Sequence, residues 1–88
     1  MKIEVKKFGT ILISRPSGRE AALTIKAYIK PELEEKIELD FSGVLSVGPS
    51  WLDEVLRFLR TEYGRKNVIC LATDNPSVNQ SLKVIDSH

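Results

Sequence analysis

Residues 39–60 read LDFSGVLSVGPSWLDEVLRFLR, an apolar strand running through a turn rich in Gly, Ser and Pro into a helix. The second half decides the fold. At ~100° of rotation per residue, Trp51, Leu52, Val55, Leu56, Phe58 and Leu59 share one continuous arc, while Ser50, Asp53, Glu54, Arg57, Arg60 and Thr61 fill the opposite one. Such a helix buries one stripe and offers the other to solvent. Gly48 is an acceptable N-cap, and Pro49 suits the first helical position, where its missing N–H leaves no bond unmade. Asp53 and Glu54 fall near the positive end of the helix dipole. This local account makes Ser50 an ordinary first-turn serine, at a place where an exposed hydroxyl is also accessible to a kinase.

Working outward, KIELDF (36–41) places Ile37, Leu39 and Phe41 on one face of a strand. NVICLA (67–72) is apolar almost throughout, the pattern of a strand covered on both sides, and is expected at the centre of a sheet. Asn75 as N-cap and Pro76 behind it open a last amphipathic helix with Val78, Leu82 and Ile85 on one face. At the other end, KIEV (2–5) and TILIS (10–14) are joined through Phe8-Gly9 and predict a hairpin. Pro16-Ser17-Gly18 reads as punctuation. From Arg19, Ala21, Ala22, Ile25, Tyr28 and Ile29 recur at helical spacing until Pro31. The order strand, strand, helix, strand, helix, strand, helix is α/β, with crossovers long enough for parallel neighbours. The expectation is a mixed sheet with an N-terminal hairpin and parallel strands, helices packed on it, in a single domain over residues 1–88.

Thirteen basic and twelve acidic residues give a net charge of +1, scattered rather than gathered in blocks, which disfavours nucleic acid as a partner. No apolar run approaches the ~18–20 residues that span a bilayer, and the start lacks the apolar core of a signal peptide. The expectation is a soluble, unprocessed, cytoplasmic protein with no membrane partner. Cys70 is the only cysteine, so neither an intrachain disulfide nor a Cys-rich metal cage can form, and its setting in VICLA suggests a buried, inert thiol. His88, the sole histidine and last residue, makes a poor general base, since a free terminus seldom positions an imidazole. Arg15 follows a strand, and its planar fork suits a carboxylate such as Asp40, Asp53 or Glu54.

The strand ending in LDFSGV, the run Gly48-Pro49-Ser50-Trp51-Leu52-Asp53-Glu54, the pair Ser14-Arg15 and the downstream ATDNPSV resemble the STAS-like domain family of unknown function. That family is related to STAS domains of the anti-sigma factor antagonist type. In phosphorylatable antagonists the turn reads Asp-Ser-Ser-Gly, so Ser50 matches the second serine and Gly48, Pro49 and Trp51 depart from the pattern. The resemblance implies a non-enzymatic regulatory module that binds a protein, of ATPase or kinase type, in bacterial partner-switching signalling. It makes Ser50 a candidate phosphorylation site and Ser50, Asp53, Glu54 and Arg57 the expected docking surface, with Ser14, Arg15 and Asp40 as further motif residues. No catalytic residue, cofactor or metal ligand is expected. Two other readings stay open: a small hydrolase or transferase subunit using Arg15 with Asp40, Asp53 or Glu54, and a purely structural interaction domain. The oligomeric state is left open.

Overall fold

Ile37–Asp40, the expected strand before the central turn, forms the middle of a three-stranded sheet in the computed structural model, which describes residues 1–32 and 34–87. His88, weighed above as a base, lies outside the described residues. We number the strands β1 (Lys2–Glu4), β2 (Ile11–Leu12), β3 (Ile37–Asp40), β4 (Ser46–Val47) and β5 (Val68–Cys70), and the helices α1 (Arg15–Tyr28), α2 (Pro49–Tyr63) and α3 (Pro76–Asp86). β3 lies between β1 and β5, parallel to both, with Leu39 opposite Ile3 on one side and Cys70 on the other. β2 and β4 form a separate parallel pair, with Leu12 opposite Val47.

Three expectations are corrected here. The N-terminal hairpin does not form, and every strand pairing is parallel. Val5–Phe8 winds into a 3-10 turn that tucks Val5 into the core, so the chain leaves β1 and β2 cannot return beside it. Second, β5 is an edge strand. Val68 is buried but Ile69 is 37% exposed, because the helices cover one face of the sheet and Lys2, Glu4, Glu38, Asp40 and Ile69 lie on the other. Third, α1 begins at Arg15 rather than Arg19: Ser14 caps it by accepting the Ser17 N–H at 3.2 Å, and Pro16 fits the first turn. Pro16-Ser17-Gly18 is thus helix. Tyr28 does not join the apolar stripe and is 82% exposed.

The arc of α2 is buried as its spacing predicts. Trp51, Leu52, Val55, Leu56 and Leu59 are all in the core, each side chain contributing roughly 1.5–3 kcal/mol of transfer free energy. Phe58 is half-buried at the flank, where the Lys26 ammonium lies 5.7 Å from its ring centre. α1 packs beside α2 through the small stripe Gly18, Ala21 and Ala22, followed by Ile25. The approach is closest at Gly18, where a β-carbon would stand 2.6 Å from the Trp51 carbonyl oxygen and 3.0 Å from its Cα. No side chain can rotate away from that contact, since both atoms are backbone.

α3 is tied to β4 by hydrogen bonds rather than by bulk. Asn75 caps the helix, its Oδ1 accepting from the Ser77 N–H at 2.9 Å, while its Nδ2 donates to the Val44 and Leu45 carbonyls at 2.8 and 3.2 Å. The Ser77 hydroxyl accepts the Val47 N–H at 3.0 Å, and the buried Ser81 hydroxyl donates to the Val47 carbonyl at 2.7 Å. Both backbone groups of Val47 are therefore satisfied by serines one helical turn apart.

Two predictions follow from this packing. Gly18→Ala should destabilise the domain by about 1–3 kcal/mol through overpacking, even though Ala gains ~1 kcal/mol over Gly in a helix interior. Urea denaturation measures this, and a stabilised variant would show that the two helices can part at no cost. The second concerns acid. The Ser42 backbone N–H, then its hydroxyl, then Lys2 and Lys6, hold Asp40 below the usual aspartate range. A carboxylate with a depressed folded pKa contributes stability above its unfolded value of about 3.9 and loses it as pH falls through the folded value. The urea midpoint should drop on acidification below about pH 4, and Asp40→Asn should show a shallower drop; an identical slope in the variant would contradict the assignment.

Candidate functional site

The clamp on Val47 ends where α2 begins. Gly48 follows directly and donates its N–H to the Leu12 carbonyl at 2.8 Å, so β2 and α3 together set the direction in which α2 starts. Pro49 occupies the first helical position and Ser50 the second, with Ser50 half-buried. Arg15 reaches this head from the start of α1. Its Nη1 lies 3.0 Å from Asp53 Oδ2 and 3.3 Å from Glu54 Oε1. Arg57 Nη2 binds the same Asp53 oxygen at 3.0 Å, and Arg19 Nη2 stands 3.7 Å from Glu54 Oε1.

Three arginines thus meet two carboxylates around the first two turns of α2. Hydrogen bonding to Asp53 first, and to Glu54 second, raises Arg15 above the ordinary arginine range, so it is charged at any working pH. The Arg15 side chain is 45% exposed, so water and salt screen these ion pairs and their net contribution to stability is small. Their effect is directional: a shared carboxylate oxygen holds Arg15 and Arg57 at fixed places on the surface.

The sequence-based candidates separate into two groups. Ser50, Asp53, Arg57 and Arg15 line one depression of about 360 Å³ together with Pro49, Val84 and Ile85, and Glu54 adjoins it through Arg15. Asp40 does not join them: it lies on the other face of the sheet, 3.8 Å from Lys2 and accepting the Ser42 N–H at 3.0 Å. Arg15 therefore pairs with two of its three expected carboxylates. Ser14 is exposed and serves as the α1 cap. Ser50 also has a neighbour that its own helix could not reveal, since Arg15, from the start of α1, lines the same depression. Val84 and Ile85 were missed as well. Their signal was the period of α3, which marks Ile85 as core-facing but cannot say that it also borders the head of α2.

Elsewhere the chemistry is quiet. Burial pushes the Cys70 thiol up to about 11, which keeps it protonated and unreactive at neutral pH. Among the described residues no group of three or more His, Cys, Asp or Glu side chains could hold a metal ion, and no helix is long and apolar enough to cross a membrane.

Residues 22–87 match the family described as STAS-like domain of unknown function (DUF4325). No curated protein and no solved structure matches the chain. The matched span runs from within α1 through α3 and includes the whole head of α2, while Ser14 and Arg15 precede it. A small α/β domain of parallel strands and three helices agrees with that match. The chain belongs to the STAS-like domain family of unknown function.

Proposed function

We propose that this domain is a non-enzymatic regulatory module that docks a protein partner on the head of α2, through Ser50, Asp53, Glu54 and Arg57, and that phosphorylation of Ser50 controls the docking. The observation that carries the reading is the setting of Ser50: a small, half-buried hydroxyl side chain in a depression lined by Arg15 and Arg57, both tied to one oxygen of Asp53. A phosphate on Ser50 adds about −1.5 to −2 charge beside these guanidinium groups. It competes with Asp53 for them and also gains from the helix N-terminus. The ion-pair arrangement changes while the buried arc of α2 stays as it is. A partner complementary to the neutral state then meets displaced arginines and an unpaired carboxylate.

The STAS-like family assignment is compatible with this reading, and the resemblance to anti-sigma factor antagonists alone suggests a kinase-type ATPase as the partner. The geometry lends the hydrolase or transferase alternative less support, because Asp40 stands apart from Arg15 and the other two carboxylates are ion-paired.

Ser50→Asp should weaken the complex with a partner recovered from native lysate by about tenfold or more, equivalent to ~1.4 kcal/mol. The stability of the variant should stay within about 0.5 kcal/mol of the parent, as for most surface substitutions. Titration calorimetry and thermal melts read the two quantities; unchanged affinity would remove Ser50 from the docking face.

A further inference from the structure

The depression at Ser50 is the upper end of a longer groove. A second depression of about 380 Å³ shares Asp53, Arg57 and Ile85 with the first and adds Arg60, Thr61, Arg65 and Asp86. Together they follow the seam between α2 and α3 from the head of α2 to the turn beyond its end at Gly64. Four arginines, Arg15, Arg57, Arg60 and Arg65, face two aspartates, Asp53 and Asp86, which leaves the lining at +2.

The excess charge lies at the lower end. Asp53 is committed to Arg15 and Arg57, whereas Arg60 and Arg65 have no carboxylate within 4.0 Å among the described residues. Asp86 borders them without forming an ion pair. Arg60 is half-buried, and its Nε–H is enclosed without an acceptor, so its charge is partly shielded from water and not balanced by protein. Most other basic side chains on the surface do have a carboxylate, as Lys2, Lys7, Arg19, Lys26 and Lys66 do. Lys30, Lys36 and Lys83 do not, but none of them lines this groove. Val84 and Ile85 supply an apolar wall and Thr61 a hydroxyl.

We propose that the α2–α3 groove binds an extended acidic segment of the partner protein, with carboxylates on Arg60 and Arg65 and an aliphatic side chain against Val84 and Ile85. This deepens the docking reading above and rests on it. The planar guanidinium fork pairs with carboxylates in a bidentate way, and the apolar wall gives a neighbouring aliphatic residue a place to lie. A nucleic acid fits less well: Asp53 and Asp86 interrupt the cationic row, no aromatic side chain lines the groove for base stacking, and the whole chain carries only +1.

The probe is a fluorescein-labelled peptide of glutamates around a single leucine, followed by fluorescence anisotropy, with a lysine counterpart and a single-stranded oligonucleotide as comparisons. The acidic peptide should bind, more weakly as salt rises, and the lysine peptide should not. Arg65→Glu should lower affinity about tenfold or more. Lys30→Glu, which makes the same change in net charge away from the groove, should leave it within about twofold; thermal melts check that both variants fold. Equal losses in the two variants would reduce the effect to bulk charge and overturn the proposal, as would no binding of the peptide to the parent. Full competition by millimolar inorganic phosphate would make this a small-anion site, and tighter binding of the oligonucleotide would make it a nucleic-acid site; either overturns the peptide assignment. Titration of the lysate partner separates this proposal from the docking reading. Loss with Ser50→Asp but not with Arg65→Glu keeps the head of α2 and removes the groove, and loss with neither removes both.

Discussion

The contact between Gly18 and the backbone of Trp51 sets the position of everything at the surface of α2. With a would-be β-carbon only 2.6 Å from a carbonyl oxygen, α1 lies against α2 as closely as two helices can, and the small stripe Gly18, Ala21 and Ala22 maintains that spacing along the seam. Two ion-pair groups mark its ends: Arg15 with Asp53 and Glu54 at the start, Lys26 with Glu62 at the finish. Both pairings join equivalent ends of the two helices, so α1 and α2 run in the same direction, and Arg15 arrives above the head of α2 because Gly18 allows it.

A second constraint acts from the opposite side. β4 is only two residues long, too short to hold its place by ladder bonds alone, and Ser77 and Ser81 complete it by taking up the N–H and C=O of Val47. Asn75 does the same for the carbonyls of Val44 and Leu45 while capping its own helix. Asn75 and Ser77 of the stretch ATDNPSV therefore serve the turn that precedes α2. The result is a helix start fixed by α1, β2 and α3 at once, with Ser50, Asp53 and Arg57 presented on a rigid support.

Much of this is legible in the sequence alone. The apolar arc of α2 could be read residue by residue, because a single helix turning at a known angle determines which side chains share a face. The Asn75 cap was legible for a similar reason, being a local preference of one residue type, whereas Arg15 could be expected to seek a carboxylate but not which of three it would reach. What was not legible depends on partners distant in the chain. KIEV and TILIS alternate like a hairpin, but their pairing is decided by β3 and β4, and the intervening Val5 is drawn into the core. NVICLA is apolar enough for a central strand, yet among the described residues no helix covers the other face of the sheet, which leaves Ile69 exposed at an edge. Pro16-Ser17-Gly18 has the composition of a turn, and only the approach of Trp51 explains a glycine inside a helix there. Arg57 was visible beside Ser50 on the polar arc, but the company of Arg15 at one Asp53 oxygen required α1 to be placed.

The surface that results is asymmetric: a fixed, charged helix head with a groove beneath it on one side, and an open polar sheet face on the other. Hydrogen exchange of the domain alone and in complex with its lysate partner distinguishes the two most directly. The N–H groups of Ser50 and Trp51, in the first turn of α2, lack intrahelical acceptors and respond to anything that covers them. The account predicts slowed exchange over residues 48–57 and 84–86 in the complex, with β1 and β5 unchanged. Protection confined to Lys2–Glu4, Glu38 and Ile69, with the head of α2 exchanging as in the free protein, would contradict it.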